Sequence, residues 1–207
     1  MFALVESGTI TQFPKGNKGI TLGDNQYPKS IYILWTEAER NAIGIYTVEI
    51  NETNRKDETF YINTDITYAF GSGKVTGSYG TATAKAIADS LYTSQDNTDG
   101  LIPEDKSVGD VKVKGLKTQY KDNFNAQAAG LLAPTDWYVV KATEVSDYSV
   151  PSAITTYRAA VRTKVNAMET AIDGCANIEA LITLLTYVKQ EDDTLTRPLG
   201  EFPDEVI

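Results

Sequence analysis

The sequence predicts an α+β fold in which a β-rich front is followed by a helical back. Up to about residue 80, short β-branched and aromatic runs alternate with polar residues and are separated by Gly, Pro and Asn, as in strands and turns. From Leu116 onward, apolar residues recur at steps of three or four, which places them on one helix face. We predict a β-rich N-terminal domain with one or two short helices at residues 1–96, a linker at 97–115, a helical domain at 116–190 and a polar C-terminal tail at 191–207 that is either loose or docked on a partner.

The front is predicted to contain two β-hairpins with a strand between them. The first hairpin covers Phe2–Phe13 and turns at Ser7-Gly8. The second covers Thr59–Ser78 and turns at Gly71-Ser72-Gly73-Lys74. The alternating, β-branched run Ile45–Ile50 predicts the strand between them.

The segments between these elements give weaker signals. Lys15–Ser30 is rich in Gly, Asn, Asp and Lys and is predicted as a loop, and Ile31–Trp35 is predicted as a strand. Thr36 and Glu39 have the spacing of a capping box, in which each side chain accepts a hydrogen bond from the other residue's backbone. A short helix should therefore begin after Thr36 and end before Gly44.

Aromatic residues are dense up to Tyr79 and predict one aromatic-rich β layer. We interpret them mainly as core and cross-strand pairs, with a carbohydrate- or protein-binding face as the alternative. The alanine-rich stretch Thr83–Tyr92 predicts a helix. Ser94–Asp110 contains Gly, Pro, Asn and Asp, which predicts a hinge between front and back.

The back begins with a predicted helix at Leu116–Leu132 that Pro134 should end or kink. Asp136 can cap a continuation through Trp137 to Lys141. Propensity alone would make that last stretch a strand, so a strand is the alternative.

A second helical pair is predicted to follow. Pro151 stands at about the first helical position, and the helix Ile154–Ile172 should close at Gly174. Asn177 should cap the last helix, from Ile178 to about Val188.

The composition argues against catalysis. Histidine is absent, which removes the commonest general base and metal ligand. Cys175 is the one cysteine, predicted as a small buried packing residue, so no disulfide or thiolate cluster forms within the chain. The Gly71–Lys74 turn lacks the spacing of a phosphate-binding loop. We therefore expect no enzyme activity, no catalytic residues, no metal and no cofactor.

Charge and hydropathy limit the partners. The formal net charge of −9 argues against nucleic-acid binding, which needs clustered Lys and Arg. Residues 1–6 do not read as a secretory signal, and no window approaches about 18 apolar residues. We expect neither nucleic-acid binding nor membrane insertion.

A motif in the back half resembles a known module. It consists of Ala128–Lys141 (AAGLLAPTDWYVVK), Val150-Pro151, Tyr157–Arg162 (YRAAVR) and the leucine-containing helix that begins at Ile178. The pattern is similar to the C-terminal ends of tail-fibre-associated and tail-fibre assembly proteins of tailed bacteriophages. The match covers about residues 127–188, and the first ten residues are similar to the openings of the same proteins.

The resemblance implies a structural component of a tailed-phage virion, made in the host cytoplasm and associated with the tail, baseplate or tail fibres. Its expected partners are other tail or fibre proteins, in a homo-oligomer or a larger assembly. A tail-fibre assembly chaperone is the first alternative. A glycan-binding module for host attachment, which would use the aromatic sheet, is the second.

Five residues of the motif are candidate partner-binding or structural anchors. Trp137 and Tyr138 offer large amphipathic area to a helix pair or a partner, and Tyr157 stands beside the arginines. Arg158 and Arg162 lie one turn apart and could pair with acids of a facing helix, the alternative being ordinary surface charge pairs. If the Trp137 ring is buried, Trp137→Ala should cost about 3–5 kcal/mol of stability.

Overall fold

The computed structural model describes residues 1–205, which divide into two compact units, Met1–Thr83 and the chain from Ala84 onward. About 36% of the residues are helical and 23% are in strands, with the strands concentrated in the front and the helices in the back. This confirms the α+β fold. Within residues 1–205, no helix is long and apolar enough to cross a bilayer.

The first unit contains eight strands and two short helices, and a ninth strand lies at its end. In chain order they are β1 (Phe2–Glu6), β2 (Thr9–Gln12), β3 (Ile20–Leu22), β4 (Asn25–Tyr27), α1 (Ile31–Leu34), α2 (Glu37–Ala42), β5 (Ile45–Asn51), β6 (Tyr61–Ile62), β7 (Ile66–Gly71), β8 (Lys74–Tyr79) and β9 (Thr83–Ala84).

Five of these strands form one sheet in the order β2-β1-β5-β8-β7. The pairs are antiparallel except for β5 with β8, which is parallel. Positive φ angles at Ser7, Gly8, Ser72 and Gly73 make the two-residue turns whose twist suits a hairpin. Both predicted hairpins are confirmed, although the second begins at Ile66 and β6 is a separate strand.

Side chains of β1 are buried on both faces of this sheet. Ala3 and Val5 pack with Val48 and Val75 on one face, against half-buried aromatic rings of Tyr46, Tyr68 and Phe70. Leu4 packs with Ile31, Tyr32 and Ile45 on the other face. Successive side chains of an extended strand point to opposite faces of the sheet, which is why neighbouring residues of β1 belong to different clusters. For these rings, the interpretation of the aromatic residues as core is confirmed.

Two predictions for the segment between the hairpins are wrong. Residues 15–30 are not all loop, because β3 and β4 pair as a small hairpin. Ile31–Trp35 is not a strand: Pro28 and Ser30 accept the first backbone hydrogen bonds of α1, which buries Ile31 and Tyr32 and leaves Leu34 exposed. One-sided burial of a single turn overrides β propensity here.

The helix α2 has the cap and the end that the sequence predicts. Thr36 and Glu39 form the predicted capping box, with the Thr36 amide 2.8 Å from the Glu39 carboxylate. The helix ends before Gly44, as predicted. Gly44 has a φ of +82°, and a Cβ there would come within 2.6 Å of the Val5 carbonyl oxygen. Only glycine meets both requirements.

In its described part, residues 84–205, the second unit contains five helices and several short strands. In chain order they are β10 (Ser90–Leu91), α3 (Ser94–Thr98), β11 (Val111–Val113), α4 (Leu116–Leu132), a 3₁₀ turn (Ala133–Thr135), α5 (Asp136–Glu144), α6 (Ser152–Asp173), α7 (Ile178–Leu185), β12 (Val188–Lys189) and β13 (Leu195–Thr196).

The long helices α4 and α6 pack antiparallel. Lys121, near the start of α4, pairs with Asp173 at the end of α6, whereas Arg158, near the start of α6, bonds to Leu132 at the end of α4. The core lies on the predicted apolar faces, which contribute Leu116, Phe124 and Ala128 from α4 and Ile154, Tyr157, Val161, Val165, Met168 and Ile172 from α6. The predicted helices Leu116–Leu132 and Ile154–Ile172 are confirmed, although Pro151 is the N-cap of α6 and not its first residue.

The predicted helix at Thr83–Tyr92 is wrong, because this segment caps α4. The carbonyl oxygens of Ala86 and Ile87 each accept a hydrogen bond of 3.0 Å from the first amides of α4, those of Leu116 and Lys117. The Asp89 carboxylate accepts one of 2.7 Å from Gly115, which lowers the pKa of Asp89. Helix starts leave such amides unpaired. The backbone groups that a local helix would use are engaged elsewhere.

The segments around this cap are also more ordered than predicted. The hinge predicted at Ser94–Asp110 begins with α3, and the linker predicted at 97–115 carries β11, which pairs with β10. The units divide after Thr83, so this stretch belongs with the helices.

The C-terminal stretch around Leu199 is docked on its own unit. The predicted last helix ends at Leu185 and not near Val188, which lies in β12. Beyond it, β12 and β13 pair, and Leu199 is buried. The Leu199 amide donates to the Leu184 carbonyl over 3.1 Å. The interpretation of residues 191–200 as loose is therefore wrong, and the last two residues of the predicted tail, 206 and 207, lie outside the described residues.

Candidate functional site: the elbow between two helices

Four of the five predicted anchors lie at the junction of α4 and α5. We call residues Leu131–Asp136 the elbow. Trp137 and Tyr138 follow it directly, and Tyr157 and Arg158 of α6 contact it. Arg162 lies one turn further along α6, is exposed and forms no ion pair with a described residue.

The elbow exists because a proline interrupts the helix. Pro134 is the second residue of the 3₁₀ turn. Proline has no amide hydrogen, and its ring clashes with the carbonyl four residues back, so a straight α-helix cannot pass through it. Carbonyl groups at the end of α4 then need other donors.

Arg158 supplies those donors from α6. Its Nη1 atom donates to the Leu132 carbonyl oxygen over 3.1 Å and to the Asp136 carboxylate over 2.8 Å. It also donates to the hydroxyl of Thr135, which is fully buried. Thr135 in turn donates to the same Leu132 carbonyl over 2.6 Å. One guanidinium therefore ties together the end of α4, the turn and the start of α5.

The surroundings of Arg158 mean that its removal should lower the stability of the folded chain. The Arg158 side chain is 10% exposed, whereas that of Asp136 is 59% exposed. A guanidinium out of water must have its hydrogen bonds satisfied. The three contacts meet part of that need, and a single atom, Nη1, makes all of them.

Tyr157 adds a second contact at the elbow. Its hydroxyl donates to the Leu131 carbonyl oxygen over 3.4 Å, and burial raises the pKa of its phenol. Tyr157 is therefore a structural anchor within the chain. The surface that follows the elbow is the more exposed part of this region.

That surface is the helix α5, none of whose side chains is buried. Its large apolar groups are exposed by about half: Trp137 by 51%, Val139 by 42% and Val140 by 52%, and Val145, just beyond its end, by 45%. We call these four residues the α5 surface. The predicted helix through Trp137–Lys141 is confirmed, and the strand alternative is wrong.

The rings on α5 are arranged by contacts with one another. The Trp137 and Tyr138 ring centroids are 3.9 Å apart. The Lys141 ammonium lies 5.6 Å from the Trp137 ring and 4.3 Å from the Tyr148 ring, within range of a cation–π interaction. The aromatic end of α5 is thus arranged before any partner binds.

Two expectations for this site need correction, and one residue was missed. Trp137 is not buried, so the loss of about 3–5 kcal/mol that a buried ring would predict for Trp137→Ala does not apply. Asp136 is not the N-cap; it is the first residue of α5, and its carboxylate binds Arg158. Thr135 was overlooked as a buried partner. Its place directly after a helix-breaking proline is the signal that could have identified it.

Neither the acidic side chains nor the cysteine of residues 1–205 is arranged for metal binding or thiol chemistry. Among residues 1–205, no group of three or more Asp, Glu or Cys side chains could hold a metal ion. Cys175, predicted to be buried, is 7% exposed, and burial raises the pKa of its thiol. A raised pKa disfavours the reactive thiolate.

No family model, curated protein or solved structure matches this chain. Its candidate site is therefore defined by its own geometry. The hydrogen bonds of Arg158 fix the elbow, and the helix that follows it has no fully buried side chain.

Proposed function

We propose that this chain is a non-enzymatic structural component of a tailed-phage virion, associated with the tail, baseplate or tail fibres. It acts through protein–protein contacts, and the α5 surface makes one of them. The observation that carries the proposal is a nine-residue helix without a single buried side chain, which exposes Trp137 and two valines, with a third exposed valine directly after its end.

A helix of this kind gains little stability from its own chain. Helices shorter than roughly 12–15 residues are marginal in water, and most helices in proteins are stabilised by packing one face. The α5 helix has little such packing: Tyr138 and Ala142, one turn apart, are partly buried, and no side chain is fully buried. Contiguous exposed apolar groups of this sort mark interaction surfaces.

The elbow makes the α5 surface suitable for tight binding. The hydrogen bonds of Arg158 fix the direction in which α5 leaves α4. A surface that is already in place loses less conformational entropy on binding. Tryptophan is among the residues that contribute most at interfaces. The expected partner is a protein with an apolar groove that accepts one helix.

The motif supports the assignment to a phage tail. The residues that carry the resemblance, from Ala128 to Lys141 and from Tyr157 to Arg162, are the ones that build the elbow and α5. The residues that carry the sequence similarity are thus largely the residues that form the exposed helix and the elbow before it. A virion partner is therefore proposed to be another tail or fibre protein, with a second copy of this chain as the alternative.

Mass spectrometry of purified virions tests the proposal. A structural component is present in a fixed ratio to the other tail proteins. A chain that is absent from virions, but required for fibres to assemble, would contradict the proposal and favour a tail-fibre assembly chaperone.

Matched variants test the surface itself. Val140→Ser should lower incorporation of the chain into particles, whereas Val108→Ser should not. Val108 is 49% exposed, close to the 52% of Val140, but lies in a loop far along the chain from α5. Both variants should unfold like the wild type in urea. Equal incorporation of the two variants would contradict a contact through α5.

A further inference from the structure

A cavity of about 410 Å³ lies in the first unit, far along the chain from α5. It is lined by residues 12–15 and 17–20, which lead from the end of β2 to the start of β3, and by Tyr32 of α1. Small-molecule sites typically have volumes of roughly 300–1,000 Å³. The cavity is therefore large enough for a small ligand.

The loop that forms it has a defined shape. Gly16 has a φ of +72°, and a Cβ there would lie 3.4 Å from the Phe2 ring and 3.6 Å from the Tyr32 ring. At Gly19, a Cβ would come within 2.4 Å of the Tyr27 carbonyl oxygen. The positive φ at Gly16 strains any other residue, and at Gly19 the carbonyl oxygen leaves no room for a side chain. The two glycines thus hold the loop close against its neighbours.

Positive charge is concentrated at this cavity. Lys15 and Lys18 line it, and residues 12–20 include no acidic residue. Neither lysine forms an ion pair or a side-chain hydrogen bond with a described residue. The whole chain, by contrast, has a net charge of −9. Two available ammonium groups beside one cavity favour a ligand with a negative charge.

Uncharged polar groups line the same cavity. Gln12 and Asn17 carry amide groups, and neither side chain hydrogen-bonds to a described residue. Tyr32 is 8% exposed, and its hydroxyl also has no hydrogen-bond partner among residues 1–205. The hydroxyl itself is accessible from the cavity, so it is free to bind a hydroxyl group of a ligand.

An aromatic ring completes the lining. Phe13 is exposed by 41%, and its ring centroid lies 4.7 Å from that of Tyr68, which holds it in place. The face of an aromatic ring carries partial negative charge. It attracts the C–H groups that a sugar ring presents on its apolar side.

We propose that this cavity binds a negatively charged monosaccharide unit. Lys15 and Lys18 bind its acidic group, the amides of Gln12 and Asn17 bind its hydroxyl groups, and the Phe13 ring supports its apolar face. This site is distinct from the aromatic sheet face, where the rings are part of the core. The inference does not depend on the α5 contact.

Titration of the full chain with defined sugars tests the proposal. Calorimetry or amide NMR would compare glucuronate, glucose 6-phosphate, glucose, acetate and inorganic phosphate. One or both charged sugars should bind with a dissociation constant of about 1 mM or below, and glucose at least about tenfold more weakly. The preference between glucuronate and glucose 6-phosphate shows whether the acidic group is a carboxylate or a phosphate.

Variants locate the binding at the cavity. Replacing both lysines (Lys15→Gln with Lys18→Gln) should weaken binding of the charged sugar about tenfold or more. Tyr32→Phe, which keeps the ring, should weaken it severalfold. Lys29→Gln should leave binding unchanged, because Lys29 is an exposed lysine of the same unit that does not line the cavity. Thermal melts would show that each variant is folded.

Four results would overturn the proposal. They are equal binding of glucose, binding of acetate or phosphate as tight as that of the charged sugars, unchanged affinity in the folded double-lysine variant, and no binding of either charged sugar at about 20 mM, well above the expected dissociation constant. The second result would leave a simple anion site without sugar recognition.

Discussion

The helices α5 and α6 follow one another closely in the chain, yet they differ in how far their side chains are buried. The 22-residue helix α6 buries seven side chains, and the nine-residue helix α5 buries none. In α6, apolar residues are spaced by three or four and share one face. In α5, four successive residues, Trp137–Val140, are apolar or aromatic. At about 100° per residue they spread around most of the helix, so one neighbouring helix cannot cover them all.

This difference separates two uses of apolar residues. The stripe on α6 is completed by its own chain and contributes to folding. The run on α5 stays largely exposed, and we propose that another molecule covers it. Substitutions in α6 should therefore lower stability, whereas those in α5 should mainly weaken binding to the partner.

The largest effect is expected where the two helices are joined. Arg158→Ala removes three hydrogen bonds and the packing of a side chain that is 10% exposed, so it should lower the free energy of unfolding by about 3 kcal/mol. Urea unfolding followed by circular dichroism measures it. Arg162→Ala is the control and should change stability by less than about 0.5 kcal/mol. Similar losses in both variants would show that the Arg158 contacts are unimportant.

A smaller effect comes from the same change made in each helix. Val161→Ala, in α6, deletes two methyl groups of a fully buried side chain and should cost about 2 kcal/mol. Val140→Ala, in α5, makes the same deletion at a side chain that is 52% exposed and should cost less than about 0.5 kcal/mol. The comparison of α5 with α6 would fail if Val140→Ala cost as much as Val161→Ala.

Trp137→Ala should have a smaller effect on stability than its size suggests. Its ring is half exposed and contacts mainly Tyr138 and Lys141, so the expected loss is about 1 kcal/mol. The same substitution should weaken binding to the α5 partner by about 2 kcal/mol or more if Trp137 is central to the interface. Urea unfolding and pull-down of the partner give the two values. A stability loss above about 3 kcal/mol would mean that the ring is buried in solution.

Much of the fold could be predicted from the sequence, because periodicity and caps are local signals. The stripes of α4 and α6, the capping box at Thr36 and the two hairpins are examples. The segment Thr83–Tyr92 could not be predicted, since its role depends on amides about 30 residues later in the chain. The same holds for Tyr32, whose burial beneath the sheet outweighs the β propensity of its neighbours.

The candidate site could be predicted only in part. The sequence identified Trp137 and Arg158 by residue type, but not which of them is buried. Exposure depends on what α6 and the end of the chain cover, and no local pattern encodes that. The cavity at residues 12–20 was missed because its lysines lie in a stretch that reads as loop. Only the folded loop brings Lys15 and Lys18 to the same cavity as Tyr32.

The smallest expected effect is confined to acid solution and concerns α3, another short helix of the second unit. Unlike α5, it is fixed at its own start: Asp96 forms a capping box with Thr93 and an ion pair with Lys112. The hydrogen bond from Lys112, followed by those from the Thr93 backbone and hydroxyl, lowers the pKa of Asp96 from 3.8 to about 2. A carboxyl whose pKa is lowered on folding stabilises the folded state above its unfolded pKa, and this stabilisation is lost as the pH falls through the folded value.

The wild type should therefore lose stability relative to Asp96→Asn between about pH 4 and pH 2, as measured by urea unfolding across that range. Asp105→Asn, at an exposed carboxylate without a hydrogen bond or ion pair to a described residue, should follow the wild type. If the stability difference between wild type and Asp96→Asn does not change with pH, then the cap does not hold α3, and α3 would resemble α5 in depending on contacts outside itself.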